Sequence, residues 1–155
     1  MEGGYRVPVT TADRLEEVLS LLRQNGGRVT SPRRAILQAL IDHDEHPTAE
    51  QLTAEVQARQ PDVHESTVYR FLDELERLGV VDHVHLGHGP AAYHFSDDTH
   101  HHLVCEQCGD VVEIPDRTLE PFRRRLRADY RFEIEHRHFA VVGRCQRCSE
   151  SAADR

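Results

Sequence analysis

The sequence predicts an α+β protein in which a helical first half ends in a β-hairpin and leads into a small α/β second half. Three observations support this prediction. Apolar residues recur with helical spacing from Ala12 to Leu78. A glycine-rich turn then separates two short segments that are typical of strands. The last third contains a run of histidines and two Cys-x-x-Cys pairs, a composition that the helical half lacks.

The composition changes at a polar seam, Asp97-Asp98-Thr99. We therefore predict one domain over residues 1–96 and a second over residues 97–155. The chain is 38% hydrophobic without a long apolar run, so we expect no membrane partner. Its first ten residues lack the basic and apolar regions of a signal peptide, which predicts a cytoplasmic protein.

Turn and capping signals divide the helical half into successive helices. The first ends at Gly26-Gly27. Ser31 is placed to cap the second helix, and Pro32 suits its first turn. The segment Thr48 to Gln51 has the form of a capping box and opens the third helix, which Pro61 stops.

A fourth helix is predicted from about Ser66 to Leu78, closed by Gly79, and two strands follow about the turn 87–90. Helices followed by a hairpin make a winged helix-turn-helix, whose recognition helix would place its N-terminal residues in the DNA major groove. The net charge of −8 argues against nucleic acid. All 19 basic residues are arginines, however, which suit phosphates and guanine edges.

The two cysteine pairs, Cys105 with Cys108 and Cys145 with Cys148, offer the four thiolates of a tetrahedral zinc site. The alternative is a pair of disulfides, which a reducing compartment disfavours, or unliganded thiols. So small a second half would gain folding free energy from the metal. The 12 histidines exceed what one structural zinc requires, so we expect at least one further metal site.

The second half is predicted to begin with a strand that ends near Ile114. Leu119, Phe122, Leu126 and Tyr130 then mark a helix. The segment Phe132 to Val142 is predicted as a strand with alternating faces.

The chain from about Leu15 to Cys148 resembles the ferric uptake regulator family. The resemblance is carried by Ser66-Thr67-Val68-Tyr69-Arg70, the hairpin, the run His-His-His-Leu-Val-Cys-x-x-Cys and the terminal Cys-x-x-Cys. It implies a homodimeric, metal-dependent transcription factor, usually a repressor, with a winged-helix DNA-binding domain and a C-terminal dimerisation domain. The four cysteines match the structural zinc ligands of the family.

A sensor site between the two halves is also implied by the resemblance. It maps onto His46, His94, His100, His102 and Glu113. His100 and His102 alternate along a strand, so both can point at one ion. His94 stands where iron- and manganese-sensing relatives commonly place a carboxylate, a change that favours nickel, cobalt or zinc.

A second metal site would use His101, Glu120 and His138, with His136 as an alternative to His138. In the family the first ligand of this site is usually a histidine, but this chain has Thr99 at that position. His83 and His85 could replace the missing ligand. The segments 83–89 and 138–145 look like the nickel-responsive branch of the family. We therefore expect nickel as the regulatory ion, followed by iron and zinc, with manganese also possible.

The resemblance assigns operator DNA as the partner, contacted by the side chains Arg28, Ser66, Thr67, Tyr69 and Arg70. Peroxide sensing through bound iron is a variant of the same hypothesis. A metalloenzyme is disfavoured because no His-Glu-x-x-His motif and no deaminase-type proline before a cysteine pair occur, so we expect no small-molecule substrate. A metal buffer or chaperone is the third alternative, and it is disfavoured because such a protein would not need a helix of the kind that carries Tyr69 and Arg70.

Overall fold

The computed structural model describes residues 10–43, 46–87, 89–97, 100–134 and 140–153. Contacts group the chain into two compact units that divide between Val80 and Val81. The hairpin falls in the second unit, and the domain boundary after residue 96 stays a prediction.

The first unit is helical, and its first three helices begin where threonine hydroxyls accept hydrogen bonds from free backbone N–H groups. Thr48 and Gln51 form the capping box that the sequence predicts. The cap of the second helix differs from the prediction, because the Thr30 hydroxyl accepts from the Arg33 N–H and Ser31 is already helical. The helices are α1 (Thr11–Gln24), α2 (Ser31–Asp42), α3 (Ala49–Gln57) and α4 (Glu65–Arg77).

Apolar side chains at helical spacing form the core of this unit. The α4 residues Val68, Phe71, Leu72 and Leu75 are all buried, as the helical spacing of the apolar residues predicts. Gly79 follows α4 with a φ of +69°, a left-handed conformation that glycine adopts without strain. The exposed face of α4 is therefore fixed in place by the packing of its opposite face.

The second unit begins with an antiparallel hairpin, β1 (Val81–His85) and β2 (Ala91–Phe95). A three-stranded sheet follows, in which β3 (His100–Cys105) lies between antiparallel β4 (Val111–Pro115) and parallel β5 (Ala140–Gly143). A 3-10 turn over residues 116–118 leads into α5 (Glu120–Tyr130), and α6 (Gln146–Ala153) follows β5. This order confirms the predicted fold class.

The predicted strand over Phe132 to Val142 is partly wrong. Residues 131–134 are not in a strand, residues 135–139 lie outside the described residues, and β5 begins at Ala140. Arg131 takes a left-handed conformation with a φ of 53°, and the Phe132 N–H bonds the carbonyl of Leu126. These contacts close the C-terminus of α5.

No helix in the described part of the chain is both long and apolar enough to cross a membrane.

Candidate metal centres and nucleic-acid interface

The four cysteines form one cluster. Their sulfur atoms all lie within 4.8 Å of one another, and the Sγ atoms of Cys108 and Cys145 are 3.8 Å apart. All four thiols are free, so the disulfide alternative is wrong. Four thiolates held about 2.3 Å from one zinc ion stand about 3.8 Å apart at the corners of a tetrahedron. The cluster therefore fits a structural zinc ion.

Backbone geometry turns the four thiols toward a common point. Cys105 ends β3, Cys145 follows β5, which is paired with β3, and Cys148 lies on α6. Hydrogen bonds from the backbone N–H groups of Cys145 and Cys108 lower the pKa of the Cys105 thiol to about 6. Hydrogen bonding to Cys145, together with burial, raises the pKa of Cys148 to about 12. Binding of a cation deprotonates such thiols and so is expected to be stronger at higher pH.

Arg147 is a basic residue at the edge of this cluster that the sequence reasoning did not single out. Its Nη2 atom lies 2.5 Å from the Asp110 carboxylate and 3.7 Å from the sulfur of Cys108. The hydrogen bond with Cys108 and the charge of Asp110 raise the pKa of the guanidinium. Its positive charge opposes the negative charge that four thiolates place around a divalent ion.

Several residues of the predicted sensor site lie together in the second unit. The rings of His100 and His102 are 4.9 Å apart between centroids and nearly perpendicular, as strand alternation predicts. Glu113 pairs with His102 across the β3–β4 ladder, and its Oε1 atom is 3.7 Å from His100 Nε2. Two imidazoles and a carboxylate on one face supply a ligand set for a divalent transition metal.

His94, on β2, is close to this group. Its ring centroid lies 6.3 Å from that of His100, and its side chain is only 6% exposed. The Nδ1 atom lies 3.1 Å from the carbonyl oxygen of Phe95, a contact that orients the ring. His46 belongs to the first unit, between α2 and α3, and its place in a shared site stays a prediction.

His101, on the opposite face of β3, is fully buried beside charged residues. Its Nε2 atom is 2.9 Å from Asp116 Oδ1 and 2.9 Å from Arg123 Nη2. Arg123 also contacts Asp116 at 2.5 Å. Burial acts to raise the Asp116 pKa, but the bonds from His101 and Arg123 outweigh it and the pKa is lowered. The sequence reasoning missed this group because Arg123 and Asp116 match no metal-ligand motif.

The remaining residues of the predicted second site are spread over several elements. His83 and His85 are exposed on β1 with ring centroids 5.6 Å apart. Glu120 is exposed at the start of α5. His138, like His136, lies outside the described residues, so this site stays a prediction.

The predicted DNA-contacting residues lie on two segments of the first unit. Ser66, Tyr69 and Arg70 are exposed on α4, opposite its buried stripe, and Thr67 is half-buried. Arg28 is exposed in the loop between α1 and α2. The arrangement leaves polar side chains accessible at the N-terminal end of α4, where a recognition helix reads base edges.

Tyr69 has a contact that the sequence did not indicate. Its hydroxyl donates to Glu50 Oε1, at 3.2 Å, in the first turn of α3. Burial, followed by this hydrogen bond, raises the pKa of Tyr69. The bond links the exposed face of α4 to the first turn of α3.

Comparison with known proteins decides the family. Residues 24–142 match the sequence profile described as the ferric uptake regulator family. The chain belongs to that family. A "Peroxide-responsive repressor PerR" of Staphylococcus aureus is 31% identical over 136 residues, which are 88% of this chain and 92% of the relative.

Solved structures of the same family resemble the chain. The ferric uptake regulator of Pseudomonas aeruginosa with manganese is 31% identical, with a TM-score of 0.67 over 83% of this chain and 97% of that one. That of Helicobacter pylori reaches a TM-score of 0.75 at 20% identity, over 90% of this chain and 94% of that one, a likeness that concerns the fold.

The family is one of dimeric, metal-dependent DNA-binding regulators, so the chain is a transcriptional regulator and not an enzyme, as predicted. The relatives do not single out the nickel-responsive branch that segments 83–89 and 138–145 suggest.

Proposed function

We propose that the protein is a homodimeric, metal-gated repressor in the cytoplasm that binds double-stranded operator DNA when a divalent ion fills the sensor site. The observation that carries the proposal is the grouping of His94, His100, His102 and Glu113 in the second unit. Such a cluster would bind an ion whether or not DNA were present. His46 would join it from the first unit and make the ion sensitive to the relative position of the two units.

The proposed switch is thermodynamic. An ion shifts the protein toward its DNA-binding arrangement only as far as it binds that arrangement more tightly than the alternatives. The chain's own contribution is to orient the ligands: the β3–β4 ladder aligns His102 with Glu113, and the Phe95 carbonyl fixes the ring of His94. A structural zinc ion on the four cysteines would stabilise the same unit.

Nickel is the proposed regulatory ion. The set of four histidines and one glutamate is rich in imidazole, which suits nickel, cobalt and zinc better than a carboxylate-rich set does. The exposed pair His83 and His85, with His101, Glu120 and His138, would serve the second site. Zinc, iron and manganese remain alternatives.

Two substitutions of His94 test the sensor site. The variant His94→Ala should retain the four-cysteine zinc and the dimer, but should need on the order of tenfold more nickel for half-maximal operator binding. The variant His94→Asp should instead shift the preferred ion toward iron or manganese. The measurement is a metal titration of DNA binding by fluorescence anisotropy, with zinc content as the control. If both variants keep the parent's metal dependence, this cluster is not the sensor.

A peroxide-responsive repressor is the second candidate function, favoured by the 31% identity to proteins of that name. Here the ion would be iron. Hydrogen peroxide would transfer one oxygen atom to a histidine ligand, leaving water, and the oxidised protein would dissociate from DNA. Mass spectrometry of iron-loaded protein after peroxide treatment tests it. A gain of one oxygen atom on the peptide with His100 and His102 supports this candidate, and its absence with continued DNA binding contradicts it.

A further inference from the structure

Arg33 lies at the start of α2, but its guanidinium is held inside the first unit. Both of its terminal nitrogens bind the carboxylate of Glu74 on α4: Nη1 lies 3.2 Å from Oε1, and Nη2 contacts Oε2 more closely. Only about a quarter of each side chain is exposed, at 25% and 22%. A partly buried ion pair with two parallel hydrogen bonds fixes the relative orientation of the two side chains as well as the distance between them.

The same guanidinium also holds the loop between α1 and α2. Nη1 donates to the carbonyl oxygen of Arg28 at 3.1 Å, and the guanidinium carbon lies 5.3 Å from the centre of the Phe71 ring. Gly27 is packed against this arrangement, since a Cβ there would meet the Leu22 carbonyl at 3.0 Å and Glu74 Oε1 at 3.1 Å. Loop and recognition helix are thus joined through one side chain.

We propose that Arg33 is a positioning residue for DNA recognition: together with Glu74 it fixes the loop that carries Arg28 against helix α4, which carries Tyr69 and Arg70. The inference rests on the proposed DNA-binding function. It assigns Arg33 no direct phosphate contact, because its charge is already matched by Glu74 and both terminal nitrogens already donate hydrogen bonds within the unit. The exposed Arg28 side chain would then reach DNA from a loop whose backbone is fixed in position.

The next residue, Arg34, supplies a matched control. It is exposed and pairs across the surface with Glu16 at 3.0 Å, an interaction of a kind that contributes little to stability. Replacing either arginine with lysine keeps the charge but removes the planar fork. A phosphate contact would tolerate that change at both positions. The contacts of the Arg33 guanidinium with Glu74 and with the Arg28 carbonyl, which together form the Arg33 clamp, require two terminal nitrogens and so would be lost with lysine.

The experiment compares Arg33→Lys with Arg34→Lys in the full-length, zinc- and nickel-loaded protein. The specific probe is a duplex enriched from a random-sequence pool by the wild-type protein, and the non-specific probe is the unselected pool. We expect Arg33→Lys to bind the enriched duplex about five- to tenfold more weakly, with unchanged binding to the pool and an unchanged salt slope. Arg34→Lys should stay within about twofold of the wild type on both.

A double-mutant cycle with Arg28→Ala tests whether the clamp acts through the loop. In the wild-type background Arg28→Ala should weaken binding to the enriched duplex, and in the Arg33→Lys background its further effect should be less than about twofold. Full additivity would overturn the proposal. So would equal losses on both probes accompanied by a lower melting temperature, because they indicate a purely structural role.

Glu74→Gln keeps the inference testable if Arg33→Lys does not fold. Removing a negative charge near DNA should strengthen binding if only electrostatics matter. The clamp predicts weaker binding to the enriched duplex, and stronger binding overturns it. A wild-type protein that enriches no duplex overturns the proposed function and the clamp with it. An enriched duplex that the wild type, Arg33→Lys and Glu74→Gln bind equally overturns the clamp alone.

Discussion

The two units of the chain bury very different side chains. The first unit has a core of aliphatic and aromatic residues, among which Leu19, Leu22 and Ile36 are fully buried. In the second unit the buried side chains include histidines and cysteines, with His101, His102 and Cys105 among them. The second unit also exposes large apolar side chains, namely Val112, Val142, Phe122, Tyr130 and Phe132.

This difference indicates how each unit is stabilised. Burial of apolar area, at about 25 cal/mol per Å², can stabilise the first unit without any ligand. The second unit buries ligand-type side chains beside a few apolar ones such as Val81 and Val104, and it leaves other large apolar side chains exposed. That pattern is expected of a domain that a metal ion and a second copy would complete. The unit proposed to bind DNA and the unit proposed to respond to metal should therefore fail under different perturbations.

The largest expected effect is the loss of the cysteine cluster. The variants Cys105→Ser and Cys148→Ser should unfold the second unit or separate the dimer, because a structural zinc contributes on the order of 10 kcal/mol to so small a fold. Exhaustive chelation should do the same to the wild type. Zinc analysis, calorimetry and light scattering measure the outcome.

A core substitution in the first unit provides the contrast. Leu37→Ala should cost about 2–5 kcal/mol of stability through a cavity while leaving the zinc content unchanged. If a thiol-free variant stays dimeric with the wild-type melting temperature, the zinc cluster has no structural role and the contrast between the units fails.

Dimerisation should show the next largest effect. Phe122 is 52% exposed on α5, and Phe122→Glu should weaken self-association on the order of tenfold if this face is covered by a second copy. Arg124→Glu is the matched control, since a residue two positions along lies on the opposite side of the helix. Analytical ultracentrifugation measures both. Equal behaviour of the two variants would place the interface elsewhere.

The sequence could predict what depends on local patterns. Periodicity located α1 to α5 and the hairpin, and two cysteine spacings identified a cluster that the fold assembles across 36 intervening residues. The helix α6 was missed, because Gln146–Ala153 has few apolar residues to reveal a period. The start of β5 was misplaced because alternation in 132–142 is also compatible with an irregular segment.

Contacts between distant charges were beyond such reasoning. Arg33 and Glu74 are 41 positions apart, and nothing local distinguishes Arg33 from its neighbour Arg34. The contacts of His101 with Asp116 and Arg123 likewise depend on how α5 meets β3. Ligand-type residues can be recognised by identity, but their actual neighbours are set by tertiary packing.

A smaller effect should separate DNA binding from metal binding. Arg70 is exposed on α4, opposite the buried Val68 and Leu72, so Arg70→Ala should leave the fold, zinc content and dimer intact. Operator binding should weaken by about 1 kcal/mol, or roughly fivefold. Electrophoretic shift and zinc analysis on the same preparation check both statements. Loss of fold would mean that the faces of α4 are reversed.

The smallest expected effect concerns Glu50, whose carboxylate accepts a hydrogen bond from the Tyr69 hydroxyl. Hydrogen bonds from its own backbone N–H and from Thr48 lower the pKa of Glu50 below its ordinary value of 4.5. A lowered folded-state pKa means that the ionised carboxylate contributes stability above the unfolded pKa, and that this contribution disappears as the pH falls through the folded value. Glu50→Gln should therefore lower the melting temperature slightly at pH 7, and the difference from the wild type should shrink as the pH falls below the ordinary pKa of a glutamate. The exposed α1 variant Glu17→Gln should follow the wild type throughout, and a pH-independent difference for Glu50→Gln would show that charge is not its cause.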